Sequence, residues 1–256
     1  MISYNGKIED FTYKASLNGG YSKNRIKFWD ETPGVPEYQK STGKPMNAEL
    51  NYNAIGIFQN QAEIDSYPHW QGTRPGDVIF EDVNDDGVID GLDRVRATKT
   101  DLPTFVGGFN FDMSWKNFYT SLFFQWATGA ERYRYYEMQG EAGNFLAQDA
   151  EGRWTEDNQS ATKSRTWNRY FGYWREQRNT YWLESADYLR LKSIEFGYNL
   201  NSFGFIKKMG VEDIRIYFSG FNLLTFDKMK DFDPESSSST SYPLNKVYNI
   251  GMSLTF

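Results

Sequence analysis

Cysteine is absent from this chain of 256 residues, so neither a disulfide frame nor a thiolate metal site is available to it. Histidine is nearly absent: His69 stands alone beside Trp70, with no partner at a metal-binding or catalytic spacing, and reads as a surface residue. No apolar run approaches the length of about eighteen residues that a membrane-crossing helix needs. That says nothing against spanning strands, which are only half apolar. Positive charge is not in excess; the formal charge is -6, which argues against a nucleic-acid binder with its basic face. Gly-rich phosphate loops and the nucleophile elbow are missing. Carboxylates abound, but sequence does not set the separation a glycosidase requires. No enzymatic chemistry is expected. The amino terminus, Met1-Ile2-Ser3-Tyr4, has neither a basic n-region nor an apolar h-region, so no secretory signal is expected. Outer-membrane placement would then imply a fragment, or a true start upstream.

Aromatic residues are abundant, at 18% of the chain. Such enrichment suits girdles at membrane interfaces or stacking platforms for sugars. The final stretch, Asn245 to Phe256, organises the rest. Tyr248, Ile250, Met252, Leu254 and Phe256 fall on one face of an extended strand, and Asn249, Gly251, Ser253 and Thr255 on the other. In a soluble sandwich the apolar face meets a second sheet; in a barrel it meets lipid. The aromatic last residue favours the barrel.

The same alternation recurs. Phe11, Tyr13, Ala15, Leu17 and Tyr21 form one run. Phe105 to Trp115 and Phe118 to Trp126 form a hairpin about Lys116-Asn117. Ile194 to Leu200 and Ile214 to Phe218 follow across the connection Asn201 to Gly210. Between Leu224 and Pro243 the chain is polar, with Ser236-Ser237-Ser238-Ser239-Thr240. The tally is about six strands, joined by connections that run long, short, long, short, long. With the last residue on the periplasmic side, every short turn falls there and every long loop outside. The expected class is therefore all-β: an antiparallel transmembrane β-barrel segment, an incomplete barrel with two open edges. Residues 22–103 and 129–185 are its long, irregular extracellular loops.

The sharpest motif lies inside the first loop, from Asp82 to Asp93. Asp82, Asn84, Asp86, Asp90 and Asp93 hold positions one, three, five, nine and twelve of a calcium loop. Gly87 takes the sharp turn, and Val88 offers its backbone carbonyl. Asp at the twelfth position departs from the EF-hand and resembles the dockerin-type loop. No flanking helical pattern supports an EF-hand domain. The expected cofactor is a structural Ca2+ that stiffens the loop; the bland alternative is a solvated Asp/Asn/Gly turn.

Taken together, several motifs carry a resemblance. These are Gly56-Ile57-Phe58-Gln59 with Glu63-Ile64, Pro75-Gly76-Asp77-Val78 before the acidic loop, and Asp187-Tyr188-Leu189-Arg190-Leu191-Lys192. Gly220-Phe221-Asn222-Leu223-Leu224-Thr225-Phe226, Asp233-Pro234-Glu235, Tyr242-Pro243 and Leu254-Thr255-Phe256 complete the set. In this order the chain resembles the carboxy-terminal barrel portion of SusC/RagA-type TonB-linked outer-membrane transporters. The family's plug domain and earlier strands have no counterpart in it. The resemblance implies uptake of large nutrients, oligosaccharides or peptides. It also implies a SusD-like surface lipoprotein as partner and the TonB complex acting through a plug.

Candidate substrate-binding residues are Trp154, Trp167, Tyr173 and Trp174, in a loop also rich in Arg169, Arg175 and Glu176. An indole face stacks on the C–H face of a sugar. The plainer readings are loop packing, contact with the lipoprotein, or girdle residues. Trp182 and Tyr188 read as girdle. By strict alternation Arg190 and Lys192 share a face with Ile194, above the lipid zone, where they would meet anionic lipid or solvent. Two other functions remain open: a calcium-stabilised extracellular carbohydrate-binding β domain, and, with least support, a β-sandwich glycosidase.

Overall fold

The computed structural model describes residues 1–133, 147–165, 178–200, 211–229, 232–236, 242 and 244–255. Strands in chain order are β1 (Ile2–Ile8), β2 (Phe11–Tyr21), β3 (Leu50–Tyr52), β4 (Ala54–Ile57), β5 (Val78–Phe80), β6 (Arg94–Arg96) and β7 (Phe105–Trp115). They continue as β8 (Phe118–Thr128), β9 (Glu131–Tyr133), β10 (Leu183–Ser185), β11 (Tyr188–Asn199), β12 (Asp213–Asp227) and β13 (Val247–Thr255). Two short helices, α1 (Gln61–Ser66) and α2 (Ala147–Ala150), accompany them. The chain divides into two compact units.

The first unit comprises Met1–Ser22, Asp101–Ala130 and Ser185–Phe256. It is built on a seven-stranded sheet in the order β1-β2-β7-β8-β11-β12-β13. Every neighbouring pair is antiparallel, and β1 and β13 form the two edges. The sheet thus has one strand more than the alternation predicted, namely β1. The open sheet is as expected. Register sorts the connections by length. Ile8 pairs with Phe11 and Trp115 with Phe118, so two-residue turns join these strands. At the opposite end Tyr21 pairs with Phe105, Phe105 with Thr128, and Tyr188 with Ala127 and Asp227. All three long connections depart from that end.

The two faces differ as the period of two requires. One carries Ile2, Tyr4, Leu17, Phe109, Phe196, Ile216, Ile250 and their register partners. The other carries Ser3, Lys14, Asp112, Ser121, Glu195, Arg215 and Asn249. Large side chains on the apolar face stay open to the surroundings: Ile250 is 85% exposed and Phe196 48%. Glycines on both faces lie beneath rings of the neighbouring strand. A Cβ on Gly107 would sit 2.4 Å from the Trp126 ring, and one on Gly6 2.3 Å from Tyr13. The ring covers the gap that glycine leaves in the pleat.

The second unit, Lys23–Thr100 with Glu131–Glu184, departs from the expectation of irregular loops. Strand β3 pairs with β6 and β4 with β5. Asn60 caps α1, its side chain accepting from the Glu63 backbone N–H. Tyr52, Ile57, Val78, Phe80, Ile89, Trp154 and Trp182 form a buried core. Its strands are three or four residues long, too short to leave alternation in the sequence.

Candidate functional site

The polar face of the sheet gathers around Arg190. Its register partners are Gln125 on β8 and Thr225 on β12, so three polar side chains stand in a row across the strands. Arg190 is fully buried. A buried guanidinium needs partners for its charge and its donors, and it has them. Nε donates to Thr225 Oγ1 at 3.0 Å, Nη2 to Asp233 Oδ2 at 2.5 Å, and Nη1 to Glu235 Oε2. The guanidinium carbon lies 5.2 Å from the centre of the Tyr188 ring. Gln125 Nε2 donates to Tyr188 Oη at 3.0 Å and to Glu235 Oε1 at 3.2 Å. Lys192 Nζ stands 3.5 Å from Glu235 Oε2.

The acidic partners come from the segment after β12. Glu235 N–H donates to Asp233 Oδ1 at 2.9 Å, and Ser236 N–H to the Asp233 carbonyl at 2.9 Å, closing a turn about Pro234. Met229 buries against Ala130 and Ala186, with Phe232 packed on the same cluster. The charged clasp and this small apolar cluster together pin the segment to the sheet.

Strict alternation placed Arg190 and Lys192 on the face of Ile194, and for Arg190 the structure corrects this. The register of β11 shifts between Leu191 and Ser193. Lys192 is an extra residue there, and Asn222 on β12, at φ 54°, marks the matching irregularity. An extra residue exchanges the faces beyond it. Leu189 therefore belongs to the apolar face and Arg190 to the polar one, where no lipid reaches a fully buried side chain. The sequence offered DYLRL and DPE as separate motifs; their meeting depends on the bulge.

Toward the short turns the polar face carries a second network. Tyr119 Oη donates to Glu195 Oε1 at 2.8 Å, and Ser121 Oγ to Asp112 Oδ1 at 2.6 Å. Arg215 lies over the Tyr217 and Tyr119 rings at 5.2 and 5.8 Å. These two rings roof Gly251 and Gly197.

In the second unit, the acidic loop satisfies its own backbone. Asp82 accepts from Gly87 N–H at 2.8 Å and Asp86 N–H at 3.2 Å; Asp86 accepts from Val88 N–H at 2.9 Å. Asn84 Nδ2 donates to Asp86 Oδ2 at 2.8 Å. Asp90 accepts from Leu92 N–H at 2.7 Å, and Asp93, fully buried, accepts from Val83 at 2.8 Å and Asp90 at 2.7 Å. Among the described residues, no three acidic or imidazole groups are placed to share a cation. Burial pushes the Tyr38 phenol up, and the neighbouring Asp93, Asp86 and Asp90 charges push the same way.

Of the sugar-stacking candidates, Trp167, Tyr173 and Trp174 lie outside the described residues. Trp154 is described and is 5% exposed in the core. Gly76, at φ 90°, passes so close that a Cβ there would meet the indole at 2.5 Å. Trp154 therefore packs against the Pro75-Gly76-Asp77 turn, and its ring offers no open face to a solute. Trp182 is buried in the same core instead of standing in a girdle. His69 is exposed, its Nδ1 2.8 Å from the Tyr67 carbonyl oxygen.

No protein-family model matches the chain. It is 30% identical over 284 residues to TonB-dependent receptor P3 of Formosa agariphila, covering 97% of this chain and 27% of that one. It is 25% identical over 288 residues to TonB-dependent receptor P26 of the same organism, covering 98% and 28%. Among solved structures, a chain of the RagAB peptide transporter superposes with a TM-score of 0.71 at 24% identity, over 99% of this chain and 28% of that one. This likeness shows the fold. The chain thus spans little more than a quarter of the length of the proteins it matches.

Proposed function

We propose that this chain, a homologue of TonB-dependent receptors along nearly its whole length, supplies part of the wall of an outer-membrane importer of large nutrients. The carrying observation is the apolar face that runs exposed across all seven strands of the sheet. Soluble monomers rarely present so continuous an apolar surface, because it would drive association. Strand length supports the same reading. The eleven residues of β7 span about 37 Å along the strand, or about 26 Å along the membrane normal at a tilt of about 45°. That matches an apolar band of about 25 Å. The polar face then lines the lumen, and the long connections leave the sheet at its extracellular end.

The cargo is an oligosaccharide or a peptide. A SusD-like surface lipoprotein is the partner, and a TonB complex drives uptake through a plug supplied elsewhere. The role is transport without catalysis. Calcium binding to loop 82–93 is a further proposal. It requires Asp82 and Asp86 to turn from their amide donors toward a shared ion.

Flotation with phospholipid vesicles, combined with quenching of tryptophan fluorescence by brominated lipid, tests the membrane reading. Trp115, on the apolar face at 52% exposure, is expected to be quenched, as the difference between the native chain and Trp115→Phe. A chain that stays in the aqueous fraction, monomeric without detergent, overturns it.

A further inference from the structure

The apolar face is not uniform. Near the short turns it holds a groove of about 550 Å³, walled by Phe11, Met113, Trp115, Phe118 and Phe196 with Thr120 at its floor. Register explains the hollow. Thr120 is the partner of Met113 on β7 and of Phe196 on β11, a small side chain between two long ones. Thr120 is itself buried, while the walls stand out.

The turns beside the groove carry opposite charges. Lys116, at φ 54°, opens the β7–β8 turn, and its Nζ lies 5.1 Å from the centre of the groove-lining Trp115 ring. The β1–β2 turn is Glu9-Asp10, with both residues exposed. Phe11 and Trp115 are register partners, so these two turns cap adjoining strands. A cation and two anions therefore flank the same end of one apolar slot.

We propose that the groove holds one acyl chain of a phosphatidylethanolamine-type phospholipid, with Lys116 on its phosphate and Glu9 and Asp10 on its primary ammonium. This rests on the membrane reading above. A purely anionic headgroup would satisfy Lys116 and be repelled by the carboxylates. A quaternary ammonium lacks the N–H donors that carboxylates bind best. The zwitterion with a primary amine meets all three charges.

The test is native mass spectrometry of the protein released from nanodiscs with equal phosphatidylethanolamine, phosphatidylglycerol and phosphatidylcholine of matched chains. Preferential retention of phosphatidylethanolamine, by about tenfold, is expected. Thr120→Phe should fill the groove and abolish retention of all three, while Thr120→Val should not. The pair Glu9→Gln and Asp10→Asn should erase the headgroup preference and leave chain occupancy. Lys116→Ala should weaken retention of every phospholipid. If Thr120→Phe fails to insert, the turn variants, on exposed positions, decide alone. Equal retention of the three lipids by the native chain, or a preference indifferent to the turn charges, overturns the proposal. A chain that floats with vesicles yet retains no phospholipid overturns it too, and leaves the membrane reading standing. Failure to float would instead remove that reading.

Discussion

Replacing Arg190 with methionine keeps much of the side-chain volume and removes the charge at the centre of the clasp. Three hydrogen bonds disappear, to Thr225, Asp233 and Glu235, together with the contact to the Tyr188 ring. Removing one partner of a fully buried ion pair costs about 3–5 kcal/mol. Here the orphaned carboxylates keep some contact with water, since the side chains of Asp233 and Glu235 are 16% and 29% exposed. The cost should fall to about 2–3 kcal/mol, spent on local opening of the segment and not on the sheet. Amide hydrogen exchange reads this directly. Protection at Glu235 and Ser236, whose N–H groups bond to Asp233, should fall by about 30- to 160-fold. Protection in the centre of β8 and β11 should hold. Arg190→Lys should recover less than half, because an ammonium cannot reach all three acceptors in the geometry of a planar fork. Adding Glu235→Gln to Arg190→Met should restore about 1 kcal/mol by removing one stranded charge. Unchanged protection in Arg190→Met, or full recovery by lysine, would refute the reasoning.

Trp154→Ala should lower the melting temperature of the second unit, with a loss of about 3–5 kcal/mol, by emptying the space against Gly76; a binding defect without a stability defect would contradict its place in the core. Gly107→Ala should destabilise the sheet by about 1–3 kcal/mol, since its Cβ must displace the Trp126 ring, and Trp126→Ala in the same chain should relieve part of the strain. The Tyr38 phenol should titrate above its ordinary value in absorbance measurements. Its folded-state stabilisation is complete below that value and is lost as alkali raises the pH through the elevated one. Calcium, if the loop takes it, should bring this titration down by neutralising Asp86, Asp90 and Asp93, and Asp86→Asn should abolish the change; a titration indifferent to calcium refutes the calcium proposal.

Period-two alternation made most of the sheet legible. The Lys116-Asn117 hairpin and the last strand lie where the sequence puts them, because their runs are long enough in apolar residues at two-residue spacing to outlast single gaps such as Gly107 and Thr120. Strand β1 escaped notice because Gly6 breaks the series Ile2, Tyr4, Ile8, and the missing bulk comes from Tyr13 on another strand. The second unit escaped for a different reason: its core joins residues as distant as Tyr52 and Trp182, which no local pattern connects. Arg190 is the instructive case. Its motif was visible, but counting by twos fails across Lys192, and the partners at Asp233 and Glu235 are supplied by a chain reversal that sequence spacing does not encode.

The pairing of Tyr21 with Phe105 has a further consequence. These neighbours stay in register although most of a separate folded body is strung between them. Closing a longer excursion adds only a slowly growing entropic penalty. The pairing of the staves therefore depends little on what is spliced between them. A donor body with its own interior would have to replace both inserts, between Ser22 and Asp101 and between Ala130 and Ser185, because Trp154 and Trp182 of the second complete the core begun by the first.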